Sequence, residues 1–301
     1  MDCEARGKSM KIFRLNLLLC ACLALAIGSE TLAQGRGLRY FAQPAGVAGS
    51  QTPYGDNKSA GKYVQSGDAN IYYETYGSGD PIFIFHGGGV GSPYELGRII
   101  DELRKSHKAV VISSRGHGHS DIGHSPISLE RKAADMLAAM REITDKPAPV
   151  LGFSDGAYTA YALAAAHPEA VKKIVAIGAG TLKPGFFPES LSIEELEKAD
   201  ADYVRQARSH MPEPERMGEF LNDYMAFWHS AEIGPELLAK IRPPVLLIGG
   251  DRDSHAPPET VLEAAGLIPD SRALIVPEAG HAAFLDNFPL TWLAIKQFLE
   301  K

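Results

Sequence analysis

The chain has 301 residues, of which 45% are hydrophobic and 22% charged, and its formal net charge is −7. This length suits one α/β domain with an insert. The acidic balance, without a basic cluster, excludes nucleic acid as a partner. All three cysteines, Cys3, Cys20 and Cys22, precede residue 23. Once residues 1–33 are removed, the chain has no cysteine, so it can form no disulfide, use no catalytic thiol and bind no metal through cysteine.

The first 33 residues have the pattern of a secretory signal. Lys11 and Arg14 precede an apolar run at 15–27, and small residues follow as far as Ala33. We predict a signal peptide over residues 1–33 and export to the periplasm or the extracellular space. The alternative is an uncleaved anchor, but the apolar run is short for a membrane span. We expect no stable membrane insertion once the signal is removed.

Residues 34–62 are rich in Gly, Ala, Ser, Gln and Pro without a sustained period, which predicts a linker or loosely ordered lead-in. From Tyr63 onward, short apolar runs alternate with helical patterns. Such runs indicate strands covered on both faces, and therefore a mainly parallel central sheet flanked by helices. The predicted strands span 71–76, 81–85, 109–113, 150–153, 173–177, 245–248 and 273–276. The predicted helices span 93–105, 129–144, 155–166, 258–267 and 284–299.

The alternation stops between residues 181 and 241. This stretch has helical patterns, proline interruptions and many large rings. An insert there would cover the carboxyl edge of the sheet, so we predict a helical cap over 181–241 and a core formed by 63–180 and 242–301. Most of the rings are expected in the cap's own core. The cap residues predicted to contact substrate are Phe186, Phe187, Phe227 and Trp228.

The five residues at 152–156 read Gly-Phe-Ser-Asp-Gly, between an apolar strand pattern and an alanine-rich helix pattern. A serine on such a tight strand-to-helix turn exposes its hydroxyl at the carboxyl edge of a sheet. Glycines at both ends relieve crowding in the turn. The following helix directs N–H groups at the site, which favours developing negative charge. Ser154 is therefore a candidate nucleophile.

Two partners for this serine follow in the expected chain order. Asp251 and Asp253 come after the run at 245–248, and His281 comes after the run at 273–276. The order serine, acid, histidine is that of a nucleophilic triad in which the histidine acts as base. Either aspartate could orient the histidine on these grounds, and the other could organise the turn through its own backbone.

A glycine-rich loop follows the predicted strand at 81–85. It reads His-Gly-Gly-Gly from His86 to Gly89. Such a loop can present a backbone N–H to an oxyanion, and the residue after the nucleophile supplies a second. We predict Gly88 and Asp155 as these donors and His86 as a buried scaffold residue.

Together these motifs resemble the α/β-hydrolase superfamily, specifically its branch of esterases and lipases with a helical cap. The resemblance covers residues 63–301 and includes Arg-Gly-His-Gly-His-Ser-Asp at 115–121, Gly-Asp-Arg-Asp at 250–253 and Ala-Gly-His at 279–281. It implies the α/β-hydrolase fold, with Ser154 as nucleophile, His281 as general base and Asp253 as acid. One departure is Ser114, which stands where the family often has an acidic residue.

The predicted activity is an exported serine hydrolase that cleaves a small ester or related acyl compound without a cofactor. Amide, lactone, perhydrolysis or C–C bond chemistry on the same scaffold is the alternative. His117, His119, Asp121 and His124 resemble a zinc motif, but two residues separate the last pair, so a zinc hydrolase is disfavoured. A catalytically silent binding protein would not require all three triad residues.

Overall fold

The computed structural model describes residues 37–301. These residues contain one eight-stranded sheet. The predicted signal peptide and the three cysteines lie outside these described residues. The strands are β1 (Gly61–Ser66), β2 (Ala69–Tyr76), β3 (Pro81–Phe85), β4 (Lys108–Ile112), β5 (Ala148–Phe153), β6 (Val171–Ile177), β7 (Val245–Gly250) and β8 (Ser271–Val276).

The strand order is β1-β2-β4-β3-β5-β6-β7-β8. β2 pairs antiparallel with β1 and β4, while every pair from β4 through β8 is parallel. The predicted fold class, a mainly parallel sheet flanked by helices, is therefore confirmed. Parallel strands end at one edge, so the loops after β3, β5, β7 and β8 meet there.

The helices cover both faces of the sheet and form its two hydrophobic cores. In the described residues they are α1 (Gly97–Leu103), α2 (Leu129–Arg141), α3 (Asp155–Ala166), α4 (Ile193–His210), α5 (Met217–Ser230), α6 (Pro235–Leu238), α7 (Pro258–Leu267), α8 (Ala283–Asp286) and α9 (Phe288–Leu299). Short 3₁₀ turns cover Pro93–Leu96 and Pro214–Arg216. Among residues 37–301, no helix has the length and apolarity needed to cross a lipid bilayer.

Helices α4, α5 and α6 lie between β6 and β7, where the sequence predicts a cap. Helix α4 begins with a complete capping box, in which Ser192 and Glu195 bond each other's backbone N–H. It is kinked at Asp200, whose backbone has φ −158° and ψ 78°. The Asp200 carboxylate accepts hydrogen bonds from the Arg39 guanidinium and from the Ala42 N–H. The kink is thus tied to a segment that precedes the sheet.

The described part of the predicted lead-in packs onto the domain instead of forming a loose linker. Tyr54 is fully buried, and its hydroxyl donates to Asp101 Oδ1 at 2.7 Å. The buried Glu74 carboxylate accepts hydrogen bonds from the N–H groups of Gly55 and Asn57. Strand β1 begins at Gly61, so sheet structure starts two residues before the expected core boundary.

The structure has two helices, α8 and α9, where the sequence predicts one helix at 284–299. The pattern at 284–299 is interrupted at Asn287, whose backbone has φ −137° and ψ 73°. The Asn287 side chain accepts a hydrogen bond from the Leu290 N–H and caps α9. Apolar periodicity continues across this break, which is why the sequence pattern indicates a continuous helix.

Candidate active site

Ser154 occupies a sharp turn between β5 and α3. Its backbone has φ 51° and ψ −118°, which is unusual for a residue with a side chain. A Cβ at Gly152 would lie 2.4 Å from the Gly156 carbonyl oxygen, and one at Gly156 would lie 2.3 Å from the Phe85 carbonyl oxygen. The two glycines are thus required by close backbone approach. The turn raises the serine hydroxyl above the carboxyl edge of the sheet.

A chain of hydrogen bonds links Ser154, His281 and Asp253. His281 Nε2 lies 2.9 Å from Ser154 Oγ, and His281 Nδ1 lies 2.8 Å from Asp253 Oδ2. A carboxylate only accepts, so Nδ1 of the neutral ring carries the proton and Nε2 can accept from the serine. The geometry assigns the tautomer that a general base requires.

Asp253 is buried and held from several sides. Its Oδ1 accepts hydrogen bonds from the N–H groups of His255 and Ala256. Burial raises the pKa of Asp253, but the hydrogen bonds from His281 and these backbone groups outweigh it and leave the pKa below its ordinary value. Asp251 is exposed and accepts from the Ala279 N–H at 3.2 Å, so it bonds the loop that carries His281.

The predicted oxyanion donors, Gly88 and Asp155, border the same cavity as Ser154. Among the described residues, neither backbone N–H has a hydrogen-bond partner. A Cβ at Gly88 would lie 2.8 Å from Asp155 Cβ and would overlap the Tyr224 hydroxyl. The loop therefore needs glycine at this position, and the residues that carry the two free N–H groups, Gly88 and Asp155, are neighbours beside the serine.

A cavity of about 290 Å³ opens over Ser154, between the glycine loop and the cap. Two of the four cap residues predicted to contact substrate, Phe187 and Trp228, line this cavity together with Leu191 and Met225. Phe186 and Phe227 do not line it, which corrects that part of the prediction. Phe186 is 42% exposed, with its ring against Phe187. Phe227 precedes Trp228 on α5 and therefore faces a different direction, lining a separate cleft instead.

The residues of the zinc-like motif do not converge. His117 is buried, with its ring 5.0 Å from that of His86 and 5.3 Å from that of Phe220. His119 instead bonds Asp56 at 2.8 Å. His86 is buried as predicted: its Nε2 accepts from the Ser114 N–H, and burial lowers its pKa. These contacts account for the histidines as parts of the scaffold.

Comparison with known proteins identifies the family. The family model described as alpha/beta hydrolase fold matches residues 80–212, and a second model, TAP-like protein, matches residues 222–300. The chain belongs to the α/β-hydrolase superfamily. The matched ranges include the residues at the carboxyl edge of the sheet, from His86 to His281.

Several similar members of the superfamily are named as hydrolases. The chain is 27% identical over 247 residues to a candidate carbamate hydrolase, RutD, from Azorhizobium caulinodans, covering 73% of this chain and 91% of the relative. It is 24% identical to the 2-hydroxy-6-oxo-6-(2'-aminophenyl)hexa-2,4-dienoic acid hydrolase of Metapseudomonas resinovorans, over 75% of this chain and 86% of that protein. A solved meta-cleavage product hydrolase from Pseudomonas fluorescens superimposes with a TM-score of 0.67 at 19% identity, over 81% and 99% of the two chains.

The sequence analysis missed two polar residues that support the candidate active site. Lys132 on α2 forms an ion pair with the Asp155 carboxylate, and both side chains are buried. The Lys132 amine also lies 5.1 Å from the Tyr224 ring centre and 5.4 Å from that of Trp228. The side chain beside the nucleophile is thereby neutralised by a cation and enclosed by cap rings.

We expect Lys132→Met to destabilise the protein by about 3–5 kcal/mol, because it leaves the Asp155 carboxylate buried without its cation. The double variant Lys132→Met/Asp155→Asn should recover most of this loss, since no unpaired charge remains. Urea unfolding of the parent, both single variants and the double variant tests the pair. Additive losses in the double variant would contradict an energetic coupling between the two side chains.

A second missed residue is Glu95, which supports the glycine loop. Glu95 Oε1 accepts a hydrogen bond from the Gly87 N–H at 2.7 Å, so this N–H is directed away from the oxyanion position. Burial raises the pKa of Glu95 to about 8, against the hydrogen bonds from Gly87 and Ser92 that lower it. The side chain therefore holds a proton in the folded protein at neutral pH.

Glu95 should make the stability depend on pH. The unfolded chain loses this proton near pH 4.5, whereas the folded protein keeps it to about pH 8. The resulting stabilisation is complete below pH 4.5 and is lost as the pH rises to about 8. Glu95→Gln can still accept from Gly87 but cannot ionise. The free energy of unfolding of Glu95→Gln, relative to that of the parent, should therefore rise from pH 5 to pH 9. Urea unfolding at several pH values measures this difference. If the difference does not change with pH, Glu95 does not contribute to the pH dependence of stability.

Proposed function

We propose that this chain is a serine hydrolase that cleaves a small carboxylic ester, or a related acyl compound, through a covalent acyl-enzyme. The observation that carries the proposal is the 2.9 Å contact from Ser154 Oγ to His281 Nε2, with His281 Nδ1 bonded to Asp253. A serine hydroxyl is a weak nucleophile and needs a base at this distance. The proposal requires no cofactor.

In the first step, Ser154 Oγ attacks the acyl carbon while His281 Nε2 takes its proton. Asp253 stabilises the imidazolium that forms. The N–H groups of Gly88 and Asp155 bind the oxyanion, and the N-terminus of α3 adds its positive dipole end. His281 then donates the proton to the leaving alcohol, and the ester C–O bond breaks.

In the second step, water attacks the acyl-enzyme. His281 Nε2 accepts one proton from the water as its oxygen bonds to the acyl carbon, and the same two N–H groups bind the second oxyanion. Collapse of this intermediate breaks the bond to Ser154 Oγ, which regains its proton from His281. The products are a carboxylic acid and free enzyme.

Labelling with a fluorophosphonate tests the nucleophile directly. The purified protein is treated with the probe, digested and mapped by mass spectrometry, with Ser154→Ala as the matched control. The expected result is one modified peptide that contains Ser154, and none in the control. An unlabelled but folded parent protein would refute the serine mechanism and would favour a binding protein.

The cavity supports a small apolar acyl or alcohol group, because its wall includes Val90, Phe187, Leu191, Met225 and Trp228. Related hydrolases carry names that refer to carbamates and to a dienoic acid, so other chemistries require comparison. The rates of hydrolysis of chromogenic acetate, butyrate and octanoate esters are compared with those of an anilide, a lactone and a carbamate. No peroxide is added. Turnover of the ester alone, or fastest, supports the proposal.

We expect Phe187→Ala to change the preference for acyl length, while Phe186→Ala leaves it unchanged. The two neighbours have the same ring, but only Phe187 lines the cavity. Loss of a close apolar wall changes discrimination between adjacent homologues by about 10- to 200-fold. The readout is the ratio of kcat/KM for butyrate and pentanoate esters, which differ by one methylene. Equal ratios in the parent and both variants would show that other residues set the preference.

We also propose that the protein is exported, on the basis of the charged and apolar pattern in residues 1–33. Expression of the full chain in a Gram-negative host, followed by fractionation and N-terminal sequencing, tests this. A mature N-terminus at Gln34 in the periplasm or medium is expected. Full-length protein confined to the cytoplasm would contradict export.

A further inference from the structure

A second histidine lies beside the serine–histidine–aspartate chain. The His255 ring packs against that of His281, with ring centres 4.8 Å apart and planes 32° apart. The His255 backbone is held beside Asp253, because Asp253 Oδ1 accepts the His255 N–H at 2.8 Å. His255 is exposed at the cavity, whereas Asp253 is buried.

Asp253, His255 and His281 each offer a ligand atom, and these three atoms lie within 4.8 Å of one another. Among residues 37–301, no other group of three or more His, Asp or Glu side chains is gathered this closely. Two imidazoles and a carboxylate, with a water in the fourth position, form a donor set typical of Zn²⁺. We propose that these residues form an inhibitory site for a divalent transition metal, best matched to Zn²⁺.

Only small movements are needed to form this site. Two ligands about 2.1 Å from a tetrahedral zinc lie about 3.4 Å apart. Asp253 Oδ2 and His281 Nδ1 are 2.8 Å apart, so the metal inserts between them after a slight separation. His255 supplies the third ligand by rotation of an exposed side chain. His255 also lines the cavity over Ser154, so one ligand of the proposed site is open to that cavity.

Zinc at this position would disable the base without touching Ser154. Neutral His281 carries a single ring proton, and a metal on Nδ1 requires that proton to be on Nε2. Nε2 then donates toward Ser154 Oγ and cannot accept its proton, so the nucleophile is not activated. The carboxylate is also withdrawn from its role as partner of the imidazolium. Inhibition therefore follows occupancy of the site.

The effect on activity rests on the proposed function, but metal binding can be measured without it. Zn²⁺ is titrated calorimetrically into protein without a histidine tag, after dialysis against a chelator and then against chelator-free buffer. The variants are the parent, Ser154→Ala, His255→Asn and His107→Asn. His107 lies beside the start of β4, at the opposite edge of the sheet, and controls for loss of an imidazole. The N-terminal cysteines are common to all variants.

We expect the parent, Ser154→Ala and His107→Asn to bind zinc with the same affinity. The affinity of His255→Asn should be lower by at least 100-fold. Loss of outer-shell partners alone already costs about 10- to 100-fold in metal affinity. Ester hydrolysis is followed in parallel for the parent, His255→Asn and His107→Asn, with each protein compared to its own metal-free rate. At 100 times Kd the parent should retain about 1% of its rate, and a chelator should restore it.

Three results would overturn the site: no zinc binding by the parent at millimolar metal, equal affinity in His255→Asn, or binding without inhibition. Loss of activity on chelation that zinc restores would overturn both this site and the serine mechanism. If zinc binds as expected but the fluorophosphonate fails to label Ser154, the proposed function fails while the metal site stands.

Discussion

Replacing Ser154 by alanine is expected to lower turnover of an ester by about 10⁶-fold, because no other group can form the acyl-enzyme. The fold should persist, since the tight turn depends on Gly152 and Gly156 rather than on the serine hydroxyl. The rate is measured with a chromogenic acetate under saturating conditions. Circular dichroism and thermal unfolding establish that the variant is folded.

Ser106→Ala is the matched control, since Ser106 is an exposed serine just before β4, away from the carboxyl edge of the sheet. It should keep the parent's rate. Activity of Ser154→Ala within tenfold of the parent would show that another residue is the nucleophile. Residual activity that zinc does not inhibit as it inhibits the parent is assigned to a contaminating esterase of the expression host.

Asp253→Asn is expected to reduce turnover by about 10⁴-fold, by analogy with other triads. The amide can donate toward His281 Nδ1 and thereby stabilise the tautomer with the proton on Nε2, which cannot act as base. The variant should retain the backbone hydrogen bonds to His255 and Ala256, because the amide oxygen still accepts. The loss should therefore appear in kcat more than in stability.

Asp251→Asn is the natural comparison, two residues away in the same turn. Its amide oxygen can still accept the Ala279 N–H, so the loop that carries His281 is retained and turnover stays within about tenfold. The two variants are assayed side by side across pH 5 to 9. If Asp251→Asn were the more damaged enzyme, the acid role would belong to Asp251.

The sequence predicts the carboxyl edge of the sheet well because three reactive residues each follow an apolar strand pattern. Ser154, Asp253 and His281 come after apolar runs whose pattern is unambiguous, and parallel strands bring their ends together. The choice between Asp251 and Asp253 required the resemblance at the sequence level. The structure separates the two, with Asp253 against the imidazole and Asp251 on the loop backbone.

The supporting residues could not be predicted in the same way, because nothing local distinguishes them. Lys132 has the sequence context of an exposed helix residue, and its burial depends on cap rings nearly a hundred positions later. Glu95 lies in a short 3₁₀ turn, and its acceptor role is set by the fold of the glycine loop. Phe227 and Trp228 are both large aromatic residues on α5. They face different cavities only because successive residues of a helix point in different directions.

Strand β1 was missed for a related reason. It is an edge strand with partly exposed residues on both faces, so it lacks the apolar run that identifies the central strands. Its pairing with β2 from Gly61↔Glu74 to Ser66↔Ala69 supplies the stability that its own sequence does not indicate. The lead-in before it is likewise fixed by distant partners, such as Glu74.

The clamp between Asp200 and the segment at 39–42 has a consequence for recombining this protein with its relatives. A cap is often treated as a removable module that can be grafted from one hydrolase to another. Here the α4 kink is held by Arg39 and Ala42, which lie more than 150 positions earlier in the chain. A chimera that exchanges the cap alone would leave the Arg39 guanidinium without its carboxylate. The unit that must be transferred therefore comprises two separate stretches of sequence, the cap and the segment at 39–42 that precedes the sheet.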